Sequence, residues 1–423
     1  MSIKLMSVVT SGNANSPRFA TKQCGHYFGR LRLASRAMLF SGIIAMSLTF
    51  TPTTLANELS HSTAQRVQRA HTHSLDGELK EAIELLESVS TKREYDKAFV
   101  ARMLGVFYWQ NDQVEAAIGQ LKYAVESGSL EQEQSVDTTK MLADLYLSNV
   151  QYEQALHYYQ RLVELGHADE MTYLRITQSY YQLAKWPDVL TAIKQYQKLE
   201  PTLDVAMLSM RLGAEFQLKQ WSRASSTLGL LIELEPDNAR WWQQLVSIEI
   251  RRERSNSALN VLTLSKLQGI PLSQQEVRML SQLYSNQGIP KKSAETLALL
   301  DDAKSDRELI VRQAQLWQQS KQWETAIQYW KMAADFDTKY HWKVAQLYLS
   351  QREYEPALAA LDRIPEKQLS ALMRSAKVQA AYRTQQLKLA LQYAEQARDF
   401  ESTAESEHWV VYLSKQLETT NSL

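Results

Sequence analysis

The chain has 423 residues, of which 44% are hydrophobic and 22% are charged, with 47 basic and 47 acidic side chains. Only 13 glycines and 9 prolines interrupt it, which is few for this length and favours an all-helical protein. The neutral balance argues against nonspecific binding to nucleic acid, which needs clustered lysine and arginine. The single cysteine, Cys24, excludes a disulfide framework and a zinc site built from cysteines.

The first 56 residues differ in composition from the rest of the chain. They hold six of the 47 basic side chains and no acidic one, so the remainder carries 41 basic and 47 acidic groups, a net charge of −6. Three arginines precede an apolar run from Ala37 to Phe50, and a helix-breaking stretch then ends in the small residue Ala56. This order is typical of a secretory signal, and the apolar run is shorter than the ~20 residues of a membrane-spanning helix. We therefore predict a cleaved signal at 1–56 with a long polar lead, and a periplasmic protein; an uncleaved inner-membrane anchor is the alternative.

The rest of the chain, 57–423, is predicted to be one domain built from a single repeated unit. Its clearest copies are ADLYLSNVQYEQAL at Ala143–Leu156 and AQLYLSQREYEPAL at Ala345–Leu358, and weaker copies stand at 281–294 and 314–327. The two clear copies begin 202 residues apart. That distance is close to six periods of ~34 residues, the length of the tetratricopeptide (TPR) helix-turn-helix.

A small residue gives the register of every unit. It recurs at steps of 31 to 38 residues, and nine of the ten are alanine. The positions are Ala82, Ala117, Ala155, Val189, Ala224, Ala258, Ala294, Ala326, Ala357 and Ala390. A small side chain lets the second helix of a unit approach the first closely, so each of these residues should be buried between two helices.

Other features mark where units begin and end. Ser127–Val136 is predicted to be a long link between the second and third units, and the Gly288-Ile-Pro290 turn should shorten a later unit. Trp409, Val410 and Leu413 share one face of a predicted final helix at about 402–417. The sequence therefore predicts an all-α, TPR-like α-solenoid: a right-handed superhelix of about ten helix-turn-helix repeats over 62–400 and a C-terminal capping helix.

In such an array, the first helix of each unit lines a groove that grips a segment of another protein. Counting from the small residue, nine side chains are predicted to face this groove. They are Arg102, Trp109, Lys140, Asp144, Leu147, Gln178, Tyr181, Trp342 and Leu349. The alternative is that some of them only contact neighbouring helices. The Lys/Asn pattern that some TPR modules use to hold a C-terminal carboxylate is not evident.

No motif predicts chemistry. The chain has no glycine-rich phosphate loop, no His-Glu-x-x-His and no nucleophile elbow. His71 and His73 are the strongest metal candidates, but residues two apart on a helix do not face each other. We therefore predict a non-enzymatic protein without catalytic, cofactor-binding or metal residues, and without a nucleic-acid partner or small-molecule substrate.

Three stretches carry a resemblance to a known family. They are Glu81-Ala-Ile-Glu-Leu-Leu86, Leu104-Gly-Val-Phe-Tyr108 and Leu283-Tyr-Ser-Asn-Gln-Gly-Ile-Pro290 with the leucines behind it. With the signal, the chain resembles secreted TPR proteins associated with the TonB–ExbB–ExbD energy-transduction systems of Gram-negative bacteria. The resemblance implies a periplasmic scaffold that binds TonB, ExbB or ExbD, reaches the membrane only through partners or an uncleaved anchor, and has no cofactor. Two alternatives remain: an adaptor that recruits peptidoglycan or polysaccharide enzymes, and a periplasmic chaperone.

Overall fold

A computed structural model describes residues 58–421, and the predicted signal at 1–56 lies outside them. The described residues form 21 α-helices, two short 3-10 turns at Thr338–Tyr340 and Glu366–Gln368, and no strand. The predicted all-α fold is confirmed. None of the helices in this part of the chain has the length and apolar character needed to cross a membrane.

The chain divides into two compact units, the first ending at Leu234 and the second beginning at Glu235. The first unit holds five helix hairpins: α1 (His61–Leu75) with α2 (Leu79–Glu87), α3 (Glu94–Gln110) with α4 (Val114–Glu126), α5 (Gln132–Ser148) with α6 (Tyr152–Glu164), α7 (Glu170–Gln182) with α8 (Trp186–Leu199), and α9 (Val205–Gln217) with α10 (Trp221–Leu234). The second unit holds five more and a final helix: α11 (Ala239–Arg251) with α12 (Ser255–Leu267), α13 (Gln274–Asn286) with α14 (Pro290–Leu297), α15 (Arg307–Gln319) with α16 (Trp323–Phe336), α17 (His341–Ser350) with α18 (Tyr354–Leu361), α19 (Ala371–Arg383) with α20 (Leu387–Phe400), and α21 (Ala404–Asn421). These are the ten predicted repeats and the predicted final helix.

The predicted register is confirmed at every unit. All ten small residues, from Ala82 to Ala390, are completely buried, with 0% exposure. Nine of them are the fourth residue of the second helix, and Ala294 is the fifth residue of α14. Each lies in the contact between the two helices of its hairpin, where a longer side chain would hold the helices apart.

All ten hairpins are closed by the same turn. The first helix ends in a Schellman arrangement: Val150 N–H donates to the Leu147 carbonyl at 3.2 Å, and Gln151 N–H to the Tyr146 carbonyl at 2.9 Å. The residue two positions after the first helix adopts a left-handed conformation, which usually favours glycine. Eight of these ten residues are not glycine: Asp112, Val150, Ala184, Lys219, Glu253, Lys321, Arg352 and Gln385. The sequence does not reveal that this turn is common to all ten hairpins, because glycine marks it only at Gly77 and Gly288.

Val150 is the least suitable residue among these turns. Its φ is 64°, its side chain is β-branched, and it is 56% exposed, so little packing is gained in return. Val150→Gly is expected to raise the free energy of unfolding by about 1 kcal/mol, because relief of left-handed strain exceeds the entropy that glycine adds to the unfolded chain. Urea denaturation measures the change. Lys219→Gly, at an unbranched residue in the equivalent turn, should gain less, and no gain for Val150→Gly would contradict the strain.

The predicted link at Ser127–Val136 is only half correct. The connection ends at Glu131, and Gln132–Val136 forms the first turns of α5, which is 17 residues long. Glu131 takes an extended conformation before the helix, and Glu133 places a negative charge in its first turn. A carboxylate there is favoured by the helix dipole, so this polar stretch is helical rather than a linker. The Gly288-Ile-Pro290 turn lies as predicted, with Pro290 opening the short helix α14.

In the first unit, first and second helices form two layers with the core between them. First helices of consecutive hairpins contact each other directly, as α1 does with α3, α5 with α7, and α7 with α9. The core of this unit includes Leu121, Leu142, Tyr159 and Leu162, all at most 2% exposed. Between α3 and α5, Gln134 Nε2 donates to the Tyr95 hydroxyl at 3.3 Å. The side chains on these first helices are the ones predicted to bind a partner.

Candidate protein-binding face

Seven of the nine predicted residues lie on the first helices of the first unit, and we call this surface the first-helix face. Arg102 and Trp109 lie on α3; Lys140, Asp144 and Leu147 on α5; and Gln178 and Tyr181 on α7. Spacings of three, four and seven residues place side chains on one side of a helix, so each helix adds its own row to the face.

The other two predicted residues belong to the second unit. Trp342 and Leu349 are seven residues apart on α17, and both are partly buried against the core of that unit. They form a similar row within their own unit.

Trp109 and Leu147 form the apolar part of the first-helix face. Both are partly buried and pack against the same hydrophobic cluster, from α3 and α5 respectively. Their positions in neighbouring repeats are equivalent, each being the penultimate residue of its first helix. A partly exposed indole and a partly exposed leucine offer the type of apolar contact that dominates the binding energy of protein interfaces.

Lys140 and Asp144 already have partners in the array. Lys140 Nζ donates to Asp169 Oδ2 at 3.0 Å, across to the residue that caps α7. Asp144 Oδ1 accepts the Tyr159 hydroxyl at 2.5 Å and lies 3.7 Å from Arg175 Nε. These contacts connect α5 to α6 and to the start of α7, so both side chains contact neighbouring helices as the alternative describes.

Burial and hydrogen bonding shift the pKa values of Asp144, Tyr159 and Asp169. It raises the pKa of Asp144 above its ordinary value, because the Tyr159 hydrogen bond and the Arg175 charge only partly compensate for lost solvent. Burial, with the Asp144 charge and hydrogen bond, also raises the pKa of Tyr159, so its hydroxyl remains a donor. Burial also acts to raise the pKa of Asp169, but hydrogen bonds from Thr172 and Lys140 outweigh it and lower that pKa.

Gln178 and Tyr181 lie beneath the face. They are 5% and 6% exposed. The Tyr181 ring makes an edge contact with Trp186, with ring centroids 5.2 Å apart. On its other side it covers Gly213 of α9, where a Cβ atom would lie 2.5 Å from the Tyr181 hydroxyl oxygen. Both residues therefore support the packing of α7 against its neighbours, and their predicted contact with a partner remains a prediction.

Arg102 differs from the other charged residues of the face. It is partly buried, and its Nε atom is inaccessible to solvent and has no hydrogen-bond partner among the described residues. Burial lowers the pKa of Arg102, and the fields of Asp137 and Tyr95 only partly offset this effect. Tyr95 lies seven residues before Arg102, and Trp109 seven residues after it, so aromatic residues lie on both sides of the guanidinium along α3. Tyr95 is not among the nine predicted residues, although its spacing from Arg102 could have indicated it.

Buried cations also occur in the second unit, beside a crevice lined by Leu369, Arg374, Lys377, Tyr393 and Gln396. Arg374 pairs with Glu366, and Lys377 Nζ lies 2.8 Å from Asp362 Oδ1. These cations are thus neutralised from within the unit. Within 58–421, no three histidine, cysteine or acidic residues are grouped so that they could hold a metal ion.

The ten hairpins, their common turn and the buried small residue of each second helix define a TPR-type α-solenoid. No protein-family model matches the chain, and no curated protein matches its sequence. Among solved structures, the chain is similar to a tetratricopeptide repeat protein from Parabacteroides merdae, with 13% identity, coverage of 62% of this chain and 100% of that one, and a TM-score of 0.35. It is also similar to the C-terminal part of a TPR repeat-containing protein from Cytophaga hutchinsonii, with 16% identity, coverage of 64% and 95%, and a TM-score of 0.35. Neither likeness bears on what this chain binds.

Proposed function

We propose that the protein is a non-enzymatic scaffold whose first-helix face binds a segment of another protein. The proposal rests on the difference between side chains of the face that have partners within the array and those that do not. Lys140 and Asp144 are held by contacts inside the array, whereas Trp109 and Leu147 remain partly exposed over the same hydrophobic cluster and Arg102 has no partner within 58–421. An apolar pair beside an unpaired cation is suited to a protein segment with both apolar and polar groups.

We further propose that this scaffold works in the periplasm as an accessory of a TonB-dependent transport system. The support is the tripartite composition of residues 1–56 and the resemblance in the three stretches at 81–86, 104–108 and 283–290. The partner would then be TonB, ExbB or ExbD.

The role of the face is tested by Trp109→Ala combined with Leu147→Ala. The double variant is expected to weaken capture of the partner at least tenfold, because truncating a central indole at an interface typically costs about 2 kcal/mol or more. Tyr123→Ala is the matched control, since Tyr123 is an aromatic residue on α4 that is 44% exposed in the layer of second helices. Circular dichroism must show the same helical content in both variants. If capture survives the double change, this face is not the binding site.

The partner itself is tested by crosslinking in living cells with a C-terminally tagged protein, followed by mass spectrometry. Specific enrichment of TonB, ExbB or ExbD, lost in the Trp109/Leu147 double variant, supports the proposal. Enrichment of cell-wall synthases would assign the scaffold to envelope assembly instead. A heterogeneous set of outer-membrane proteins would indicate a chaperone.

A further inference from the structure

We propose that Arg102 anchors an acidic side chain of the bound segment, so that the first-helix face selects segments with aspartate or glutamate beside apolar residues. This inference rests on the proposed function of the face and adds the chemistry of its partner. The inference is based on the groups that surround the Arg102 guanidinium.

Arg102 is an exception among the partly buried lysines and arginines on the first helices of the first unit. The other partly buried basic residues of these helices each lie beside a carboxylate: Lys97 with Glu94, Lys140 with Asp169, Arg175 with Asp144, and Arg211 with Glu215. Arg102 has no hydrogen bond or ion pair with any residue in 58–421, and the field of Asp137 reaches it without direct contact. A desolvated charge without a partner destabilises a fold, so its place on this surface calls for a partner from outside the array.

The chemistry of the guanidinium identifies the ligand. Its planar set of N–H donors matches a carboxylate with two parallel hydrogen bonds, and partial burial strengthens such a pair relative to one in water. Because Nε is enclosed by protein, a carboxylate from a partner would meet the guanidinium at its two Nη groups. Asp144, the one carboxylate among the nine predicted residues, is already engaged by Tyr159.

The position of Arg102 along α3 favours a carboxylate in the middle of a segment. Tyr95 and Trp109 lie one heptad to either side of it, about 10 Å away at the rise of an α-helix. A bound chain can therefore contact an aromatic ring before and after its acidic residue. A free C-terminus would use only one of these two contacts, so we assign the carboxylate to an aspartate or glutamate side chain.

The same geometry predicts an opposite effect on stability. Arg102→Met replaces a desolvated, unpaired cation by an apolar side chain of similar length. We expect it to raise the melting temperature of the free protein by roughly 2 °C or more while it weakens binding. Loss of binding together with a gain in stability separates a binding role from a structural role, since a structural residue would lose both.

The test begins with a phage-displayed library of random 12-residue peptides, panned on the full chain. Selected peptides are expected to contain aspartate or glutamate next to aromatic or aliphatic residues. A selected peptide, labelled with fluorescein and amidated at its C-terminus, is then measured by fluorescence polarisation. Arg102→Met should weaken its binding at least tenfold. Arg102→Lys should weaken it less, because lysine keeps the positive charge but lacks the planar pair of donors. Lys122→Met on α4 is the matched control.

A double-mutant cycle completes the test. Replacing the peptide's aspartate or glutamate by asparagine or glutamine should weaken its binding to the wild-type protein as much as Arg102→Met does. The same replacement should leave the peptide's affinity for the Arg102→Met variant almost unchanged. If peptides bind the face, as judged by loss with Trp109→Ala and Leu147→Ala, but show no acidic preference or no dependence on Arg102, this inference fails and the proposed function stands. If no peptide requires the face, both fail. Binding that disappears on C-terminal amidation would assign the carboxylate to a chain end and overturn the mid-segment assignment.

Discussion

Asp96→Ala is expected to lower the free energy of unfolding of the N-terminal hairpin, α1 with α2, by about 3–5 kcal/mol. Asp96 is completely buried on α3, with 0% exposure. Its carboxylate accepts the Ser60 backbone N–H at 3.2 Å and the Ser60 hydroxyl at 2.6 Å, just before α1 begins. It also accepts the Thr63 hydroxyl at 3.0 Å, from within the first turn of α1. Truncation would leave the buried Thr63 hydroxyl and the partly buried Ser60 donors without this acceptor while the rest of α3 remains packed.

Hydrogen exchange resolved by residue measures this effect where it should occur. Protection of amides in His61–Glu87 should fall strongly in Asp96→Ala, and protection in the second unit should stay the same, because stability in repeat arrays is a sum of nearest-neighbour terms. Asp76→Ala, at an exposed aspartate that follows α1, is the control. Equal protection of the hairpin in wild type and Asp96→Ala would contradict the role assigned to this carboxylate.

Lowering the pH should also destabilise the N-terminal hairpin through Asp96. Burial acts to raise the pKa of Asp96, but hydrogen bonds from Ser60 and Thr63 and the charge of Arg93 outweigh it, so the pKa lies below its ordinary value. The carboxylate therefore stabilises the fold fully above the unfolded pKa of ~3.9, and this contribution is lost as the pH falls through the lower folded value. The difference in hairpin protection between wild type and Asp96→Asn should thus narrow below about pH 4.

Ala155→Leu is expected to lower the free energy of unfolding by about 3 kcal/mol, at the upper end of the usual cost of overpacking. Ala155 is completely buried between α5 and α6, and close packing leaves no space for three further carbon atoms. Ala357→Leu makes the equivalent change between α17 and α18 in the second unit. Chemical denaturation followed by circular dichroism gives the cost of each.

The neighbouring residue provides the control for this substitution. Gln154→Leu adds a leucine to the same turn of α6 on its exposed side, and it should change the stability by no more than about 0.5 kcal/mol. A similar cost for Gln154→Leu and Ala155→Leu would mean that the effect does not come from the contact between the helices. An unchanged denaturation curve for Ala155→Leu would contradict the register itself.

The architecture is predictable from the sequence because one physical requirement repeats ten times. Close approach of two helices demands a small residue, so the small residues from Ala82 to Ala390 are enough to mark every hairpin. The turn that closes each hairpin is not predictable in the same way. At Val150 or Lys219, the left-handed conformation is imposed by helices packed on both sides of the turn, against the local preference of the residue.

Buried charges are equally hard to predict. Glu215 stands where several other repeats, such as those with Tyr108 and Tyr146, have tyrosine, and it is 1% exposed. It is held by Arg211 Nε at 3.0 Å and by the Thr227 hydroxyl at 2.7 Å, which lies on the partner helix α10. The Arg211 contact is local, but the threonine approaches only when α9 and α10 pack. The repeat pattern therefore does not show that this carboxylate is buried and satisfied by Thr227.

The sequence by itself determined the repeat type, the number of repeats and the helix faces, because these follow from the period of the small and apolar residues along the chain. Only the tertiary structure decided which side chains of the predicted face are available. Tyr181 is covered by α9, and Lys140 and Asp144 are held by residues of neighbouring helices. Arg102, with the same kind of charge and the same register, has no such partner in the described part of the chain. The physical reason is that the period of a helix gives the direction of a side chain, whereas its partners lie on other helices about 30 residues away in sequence.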